Sequence, residues 1–210
     1  MEKINETVAN QLLQIKAIKL QPANPFSWAS GWLSPIYCDN RKTLSYPDVR
    51  DYIKEQFAAK VKELYPQADV IAGVATGAIA QGALVADALN KPFVYIRSAP
   101  KGHGLENLLE GELKPGQKVV IIEDLISTGG SSLKAADAVT NSGGEVIGML
   151  AIFSYGFKVA QDNFSSKKIE LTTLSDYKTL LKVALNSGYI SEKDLDTLNN
   201  WSKDPANWNK

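Results

Sequence analysis

The chain has 210 residues, 44% of them hydrophobic and 22% charged, with 23 Lys and Arg balancing 23 Asp and Glu. That length holds one sizeable core and leaves little for a second domain, and the balanced charge favours neither nucleic acid nor an anionic membrane as a partner. The one cysteine, Cys38, excludes an intrachain disulfide and a clustered-thiolate metal site; the opening MEKINETVAN lacks a basic leader and no stretch reaches the roughly 20 apolar residues of a membrane span, so the expected compartment is the reducing cytoplasm.

In chain order, Ile4, Val8, Leu12, Leu13 and Ile15 recur at helical spacing and predict an amphipathic helix over 4–16. Residues 17–41 carry Pro22, Pro25, Gly31 and Pro35, which break regular structure, so AIKL and LSPIYCD read as short strands or extended loops. The aromatics Phe26, Trp28, Trp32 and Tyr37 in this stretch either form a small subcore or meet a ligand. A second helix runs from Tyr46 through Tyr65, opened by Pro47. Then ADVIAGVA reads as a buried strand, GAIAQGALVADALN as a helix, PFVYIRS and QKVVIIED as strands, SSLKAADAVTNSG as a helix, and GEVIGMLAIFSY and KIELTTLS as strands. DYKTLLKVALNSG and SEKDLDTLNN close the chain as helices. Continuous apolar strands alternating with helices predict an α/β fold, a mostly parallel sheet covered on both faces. Between PFVYIRS and QKVVIIED, the segment APKGHGLENLLEGELKPGQ has no periodic apolar face and reads as a long loop ending in a small hairpin through LEGEL.

The most informative segment is VVIIEDLISTGGSS, residues 119–132. An apolar strand delivers Glu123 and Asp124 at its carboxyl end, where open α/β sheets place ligands. Ser127, Thr128, Gly129, Gly130 and Ser131 follow as a small-residue turn opening onto a helix, which presents N–H and hydroxyl donors to a phosphate monoester. The two acids are acceptors suited to a sugar diol, and their adjacency in a low dielectric demands compensation, from a diol and a substrate-bound divalent cation for instance. No Gly-Lys-Ser/Thr follows the glycines, so this is not a Walker phosphate loop. A second small-residue turn, Ala75-Thr76-Gly77-Ala78, follows strand DVIAGVA and is either another cradle for anionic oxygens or a plain tight turn.

Residues 119–132 closely resemble the signature of the type I phosphoribosyltransferases. Arg97 at a strand end, followed by Lys101, His103 and Gly104, resembles the orotate phosphoribosyltransferase pattern, and the segment Phe26 to Tyr37, with Ser30-Gly31 and then Ser34-Pro35, resembles that family's hood. The likeness runs in order from about residue 20 to residue 156 and looks most like the orotate enzymes of Gram-positive bacteria. It implies one phosphoribosyltransferase domain over 1–210: a small N-terminal hood (roughly 17–42), a core (roughly 47–175) and terminal helices (176–210). It further implies transfer of phosphoribose from phosphoribosyl pyrophosphate to orotate, giving orotidine 5'-monophosphate and pyrophosphate in pyrimidine biosynthesis.

For individual residues the resemblance implies the following. Lys101, His103 and Asp124 are catalytic, with Arg97, Lys101 and His103 on the donor's phosphate oxygens. Ala75, Thr76 and Gly77 hold pyrophosphate. Glu123 and Asp124 hold the ribose, Ser127, Thr128, Gly129, Gly130 and Ser131 hold the 5-phosphate, and Leu125 and Ile126 between them also belong to the donor site. Ser127, Tyr37, Cys38 and Tyr155 lie by the orotate. Mg²⁺ is expected on substrate oxygens, with no protein metal cluster, and the chain is expected to be a homodimer whose loop 98–110 completes the neighbouring site.

The chain departs from the family at four places. Ser98, Ala29 and Leu33 stand where some members carry basic residues, and Tyr155 stands where an arginine grips the orotate carboxylate. Pyrophosphate contacts then rest on Lys101, Arg97, metal and backbone, while the carboxylate is left to Arg41, hood N–H groups or an interface residue. Asp39 and Arg41 either pair with each other or frame the base pocket. The rival readings are a purine phosphoribosyltransferase and a noncatalytic regulator sensing the same donor; a Rossmann dinucleotide domain is disfavoured, because no Gly-x-Gly-x-x-Gly follows the first core strand.

Overall fold

The computed structural model describes residues 3–27, 31, 33–99 and 108–208. Helix α1 (Ile4–Gln14) leads into the hood, built of β1 (Ile18–Leu20) paired antiparallel with β4 (Ile36–Cys38), and β2 (Phe26–Ser27) paired antiparallel with β3 (Leu33–Ser34). A 3-10 helix, Asn40–Ser45, joins the hood to α2 (Pro47–Leu64), with Pro47 in the first turn as its preset φ favours.

The core follows as β5 (Val70–Val74), α3 (Ile79–Leu89), β6 (Phe93–Ile96), β7 (Leu109–Glu110), β8 (Lys118–Ile126), α4 (Gly130–Asn141), β9 (Glu145–Ser154), α5 (Lys158–Lys167), β10 (Leu171–Asp176), α6 (Tyr177–Asn186) and α7 (Glu192–Lys203). Six strands form one sheet in the order β10-β9-β8-β5-β6-β7, parallel except for β7 at the edge. The LEGEL residues do not form a hairpin among themselves: β7 pairs back onto β6, with Tyr95 opposite Glu110. Helix α5 has no counterpart in the sequence reading, because Ala160 and Phe164 are its only buried residues and two apolar contacts make no readable stripe.

Two apolar layers sandwich the sheet. On one face Val85 and Ala86 of α3 join side chains of α1, α2 and α6; on the other Leu133, Ala136 and Val139 of α4 join Ala160 and Phe164 of α5. The fully buried residues Val70, Ile71 and Ala72 of β5 and Val119 to Ile122 of β8 give these neighbouring strands two apolar faces, which explains their unbroken apolar runs. The helix after β5 therefore goes to one face and the helix after β8 to the other. That divergence opens a crevice at the carboxyl ends of two adjacent strands, the usual ligand position in open α/β sheets. The carboxyl-terminal helices are anchored by aromatic packing: Trp201, wholly buried, lies 5.7 Å from Tyr155, 5.5 Å from Phe157 and 5.4 Å from Tyr177, whose hydroxyl donates to the Leu198 carbonyl at 3.0 Å. Among the described residues no helix is long and apolar enough to cross a membrane.

Candidate active site

A cavity of about 310 Å³ fills the crevice between β5 and β8. Val74, Ala75, Thr76 and Gly77 line one side, and Glu123, Asp124, Leu125, Ser127, Thr128, Gly129 and Ser131 line the other. A wider groove of about 770 Å³ lies beside β10, α6 and α7, but of its two lysines Lys182 is engaged by Glu6 at 2.8 Å. It lacks the convergence of helix starts, hydroxyls and carboxylates found at the crevice.

The phosphate-type turn is built as its composition demands. Gly129 takes φ +80, a left-handed conformation that side chains rarely adopt, and turns the chain into α4. No side chain caps α4 and no acid sits in its first turn, so its leading N–H groups and positive dipole end face the cavity uncompensated. Helix α5 supports the turn from outside: Asn163 Nδ2 donates to the Thr128 carbonyl at 3.0 Å, and a Cβ on Gly129 would stand 2.8 Å from the Phe164 ring. Across the crevice the Ala75–Thr76 peptide is cis, and the Ala75 N–H donates to the Ile96 carbonyl at 2.7 Å.

The two acids occupy different environments. Asp124 is half-buried, and its carboxylate lies against Gly77. Glu123 is 5% exposed; its Oε1 accepts the Asp124 N–H at 2.9 Å and its Oε2 the Ser132 hydroxyl at 2.8 Å. Burial first, then the Asp124 charge, push the Glu123 carboxyl up to about 8. Glu123 thus turns inward behind Asp124, and its raised pKa favours a proton on one of the two adjacent acids as long as no ligand charge offsets them.

Other expected residues fall outside this cavity. Ile126 is fully buried in the core and its carbonyl accepts the Tyr155 N–H at 3.0 Å, so its side chain cannot meet a ligand. Gly130 is exposed at the start of α4. The Arg97 guanidinium lies 3.6 Å from Glu110, the structural ion pair that rivals a ligand role. Tyr37 is 40% exposed on the hood, its ring 5.6 Å from that of Phe26. The Cys38 thiol, which burial raises well above its ordinary range, donates to Asn40 Oδ1 at 3.3 Å and is no thiolate nucleophile. Tyr155 is 5% exposed and stacked at 5.3 Å on Phe157, so its ring is primarily part of the aromatic cluster. Asp39 and Arg41 do pair, at 2.6 Å and 3.0 Å, and the Arg41 hydrogen bond holds the Asp39 carboxyl below its usual range. Lys101, His103, Trp28, Ala29, Ser30 and Trp32 lie outside the described residues.

Three contacts of the acids escaped the sequence reading, though Gly77 reads there as part of the pyrophosphate turn. Ser132 was visible only as part of the signature, Gly77 gave no sign of the carboxylate it would touch, and Asn40 Nδ2 donates to the Asp124 carbonyl at 2.6 Å from 84 residues away. Only the Ser132 spacing, nine residues after Glu123 and on the first turn of the helix, was a local signal.

Comparison with known proteins agrees with this geometry. The profile of the phosphoribosyl transferase domain matches residues 44–179. The chain is similar to an orotate phosphoribosyltransferase of Bacteroides thetaiotaomicron, 63% identical over 99% of this chain and 98% of the relative. One from Enterococcus faecalis is 52% identical over the full length of both. Among solved structures, the orotate phosphoribosyltransferase of Aeropyrum pernix superposes with a TM-score of 0.76 at 26% identity, covering 88% of this chain and 99% of that one. With the domain profile matched over most of the chain and full-length relatives at this identity, the chain belongs to the orotate phosphoribosyltransferase family.

Proposed function

We propose that this protein transfers the 5-phosphoribosyl group of phosphoribosyl pyrophosphate to orotate, giving orotidine 5'-monophosphate and pyrophosphate. The observation that carries the reading is the pairing, across one crevice, of an uncapped helix start after Gly129 with the Asp124 carboxylate against Gly77. The first suits a phosphate monoester and the second the ribose hydroxyls a few carbons away on the same sugar.

In this reading Ser127, Thr128, Gly129, Gly130 and Ser131 take the 5-phosphate, with the Leu125 and Ile126 backbone leading into the turn. Asp124 accepts from the ribose hydroxyls, with Glu123 behind it. Ala75, Thr76 and Gly77 take the pyrophosphate, aided by Arg97, Lys101 and His103. Tyr37, Cys38, Ser127 and Tyr155 border the base. The bond from the anomeric carbon to the pyrophosphate oxygen breaks and its electron pair leaves with pyrophosphate; a bond to the orotate ring nitrogen forms, and the ring proton passes to solvent. Asp124 faces the cationic character that develops on the sugar, and N–H groups face the charge that develops on the leaving group.

Among the described residues no group of three His, Cys, Asp or Glu side chains could hold a metal by itself. The donor set, one half-buried carboxylate beside backbone turns, fits Mg²⁺ carried mainly on substrate oxygens, where it would neutralise charge building on pyrophosphate. The wider reading is a cytoplasmic homodimer in which loop 98–110 serves the neighbouring subunit, with no nucleic acid or membrane partner. Hood, core and terminal helices act as one domain; the bond from Asn40 to Asp124 and the burial of Trp201 support that grouping. The sequence is read as the type of Gram-positive orotate enzymes, supported by the 52% identity with the Enterococcus faecalis relative, although the Bacteroides relative is more similar at 63%.

Loss of orotate absorbance is the direct test, with purified protein, Mg²⁺ and the donor, beside parallel assays with uracil, adenine, hypoxanthine and guanine. Consumption of orotate alone is expected. Turnover of a purine would keep the reaction and discard the base, and donor binding without any turnover would favour the regulator.

A further inference from the structure

Strand β5 accompanies β8 only as far as the pair Gly73 and Ile122, whereas β9 continues to pair with it through Ile126. Residues 123–126, which carry both acids, therefore project beyond β5 with a strand neighbour on one side. The 3-10 helix of the hood packs against β8, and its first residue reaches this projection: Asn40 Nδ2 donates to the Asp124 carbonyl at 2.6 Å.

Asn40 is itself held on several sides. It is 2% exposed, its Oδ1 accepts the Cys38 thiol at 3.3 Å, and its own carbonyl accepts the Thr43 hydroxyl at 2.6 Å. Thr43 Oγ1 in turn accepts from Gln81 Nε2 at 3.4 Å, and both residues are buried. A polar chain thus runs from α3, the helix that follows the Gly77 turn, through the hood to the backbone of Asp124. Buried amides in such a chain hold their geometry because a rotated side chain would strand a donor or acceptor away from water.

We propose that Asn40 is a positioning residue for the sugar donor: it holds the Asp124 main chain where β5 no longer does, and so fixes the direction in which the Asp124 carboxylate meets the ribose. The inference rests on the reading of Asp124 as a ribose acceptor. An aspartate at position 40 would set an oxygen against the Asp124 carbonyl, and an alanine would leave that carbonyl without its donor. The turn proposed for pyrophosphate makes no bond to the Asn40 side chain and is anchored at Ala75, whose N–H donates to the Ile96 carbonyl at 2.7 Å.

That separation gives the test. Calorimetry would measure binding of phosphoribosyl pyrophosphate, which contains ribose, and of inorganic pyrophosphate, which does not, both with Mg²⁺. Asn40→Ala is expected to lose about tenfold or more in donor affinity while pyrophosphate affinity stays within about threefold. Thr43→Val should move the same way by less, and Thr43→Ser, which keeps the hydroxyl, should restore wild-type binding. A fall in melting temperature with both affinities unchanged, or an equal loss of both, would make Asn40 a purely structural residue and overturn the proposal. Asp124→Asn serves as the reference: without a donor-selective loss there, the ribose reading falls and takes the proposal with it. Orotate turnover by the wild type is scored separately; a chain that binds donor yet ignores orotate loses its substrate assignment while the Asn40 affinities still decide this inference.

Discussion

Asp124 rests its carboxylate on the backbone of Gly77, so closely that a methyl group built on that glycine would stand 2.1 Å from Oδ2 and 2.4 Å from Cγ. Glycine is required there by space, because the neighbour that would have to move is the proposed ribose acceptor. Gly77→Ala is expected to destabilise the fold by about 1–3 kcal/mol through overpacking and to cut donor affinity by about a hundredfold, as the carboxylate is driven aside. Donor affinity close to wild type, measured by calorimetry on the folded variant, would show that the contact is incidental.

Glu123 makes stability depend on pH in a direction unusual for an acid. Its folded value of about 8 lies above the ordinary 4.5, so the folded chain binds the proton more tightly than the unfolded chain. The stabilisation is complete below about pH 4.5 and is lost as pH rises through 8. Glu123→Gln keeps an acceptor for the Asp124 N–H and a partner for Ser132 but cannot ionise. It should raise stability over wild type by about 4 kcal/mol near pH 8 and by little near pH 4.5, as read from denaturant melts. Parallel curves for the two proteins across that range would refute the inward, protonated carboxyl.

Arg41, one of the hood's cations beside Lys19 and Lys42, is clasped in two hydrogen bonds by Asp39 yet 60% exposed along its side chain. If it meets the orotate carboxylate, Arg41→Ala raises the KM for orotate about tenfold and leaves that for the donor unchanged. The pair is solvent-facing, so the change in stability should stay within about 1 kcal/mol. An unchanged orotate KM would pass the carboxylate to backbone donors of the hood or to a partner subunit.

The shared-site reading is tested by mixing two inactive variants. Lys101→Ala and Asp124→Asn are each expected to be nearly dead alone; refolded together at equal concentration, they should recover about a quarter of wild-type activity, since half the dimers are mixed and each mixed dimer has one intact site. Persistent inactivity of the mixture, with exchange verified by mass spectrometry, would place Lys101 in its own subunit's site.

The parts of the fold that were legible in the sequence are those with strong local chemistry. Strands β5, β8 and β9 announce themselves because burial on both faces makes them unbroken apolar runs, and the turn after β8 because glycine and hydroxyl residues cluster there. Helix α5 was not legible, for only Ala160 and Phe164 of its ten residues are buried. β7 was misread because two residues form a strand only against β6, a partner that local pattern cannot name. At the site, the residue types of Glu123 and Asp124 were apparent but their division of labour was not, since it depends on Ser132 and on burial. Asn40 lay wholly beyond reach: an asparagine after Cys-Asp looks like a turn residue until 84 residues of chain fold back to meet it.

Helix α5, silent in the sequence, bears on how the crevice meets its first ligand. With Asn163 tied to the Thr128 carbonyl and Phe164 filling the space beside Gly129, the turn is braced by the chain's own packing. Freezing a backbone residue costs roughly 1–2 kcal/mol, and for these residues that ordering belongs to folding, not to binding. A phosphate bound at the proposed site would meet a braced receptor, which favours recognition by fit over recognition by rearrangement. It also means that changes on the outer surface of the molecule, at a helix that touches no substrate, can tune the affinity of the inner one.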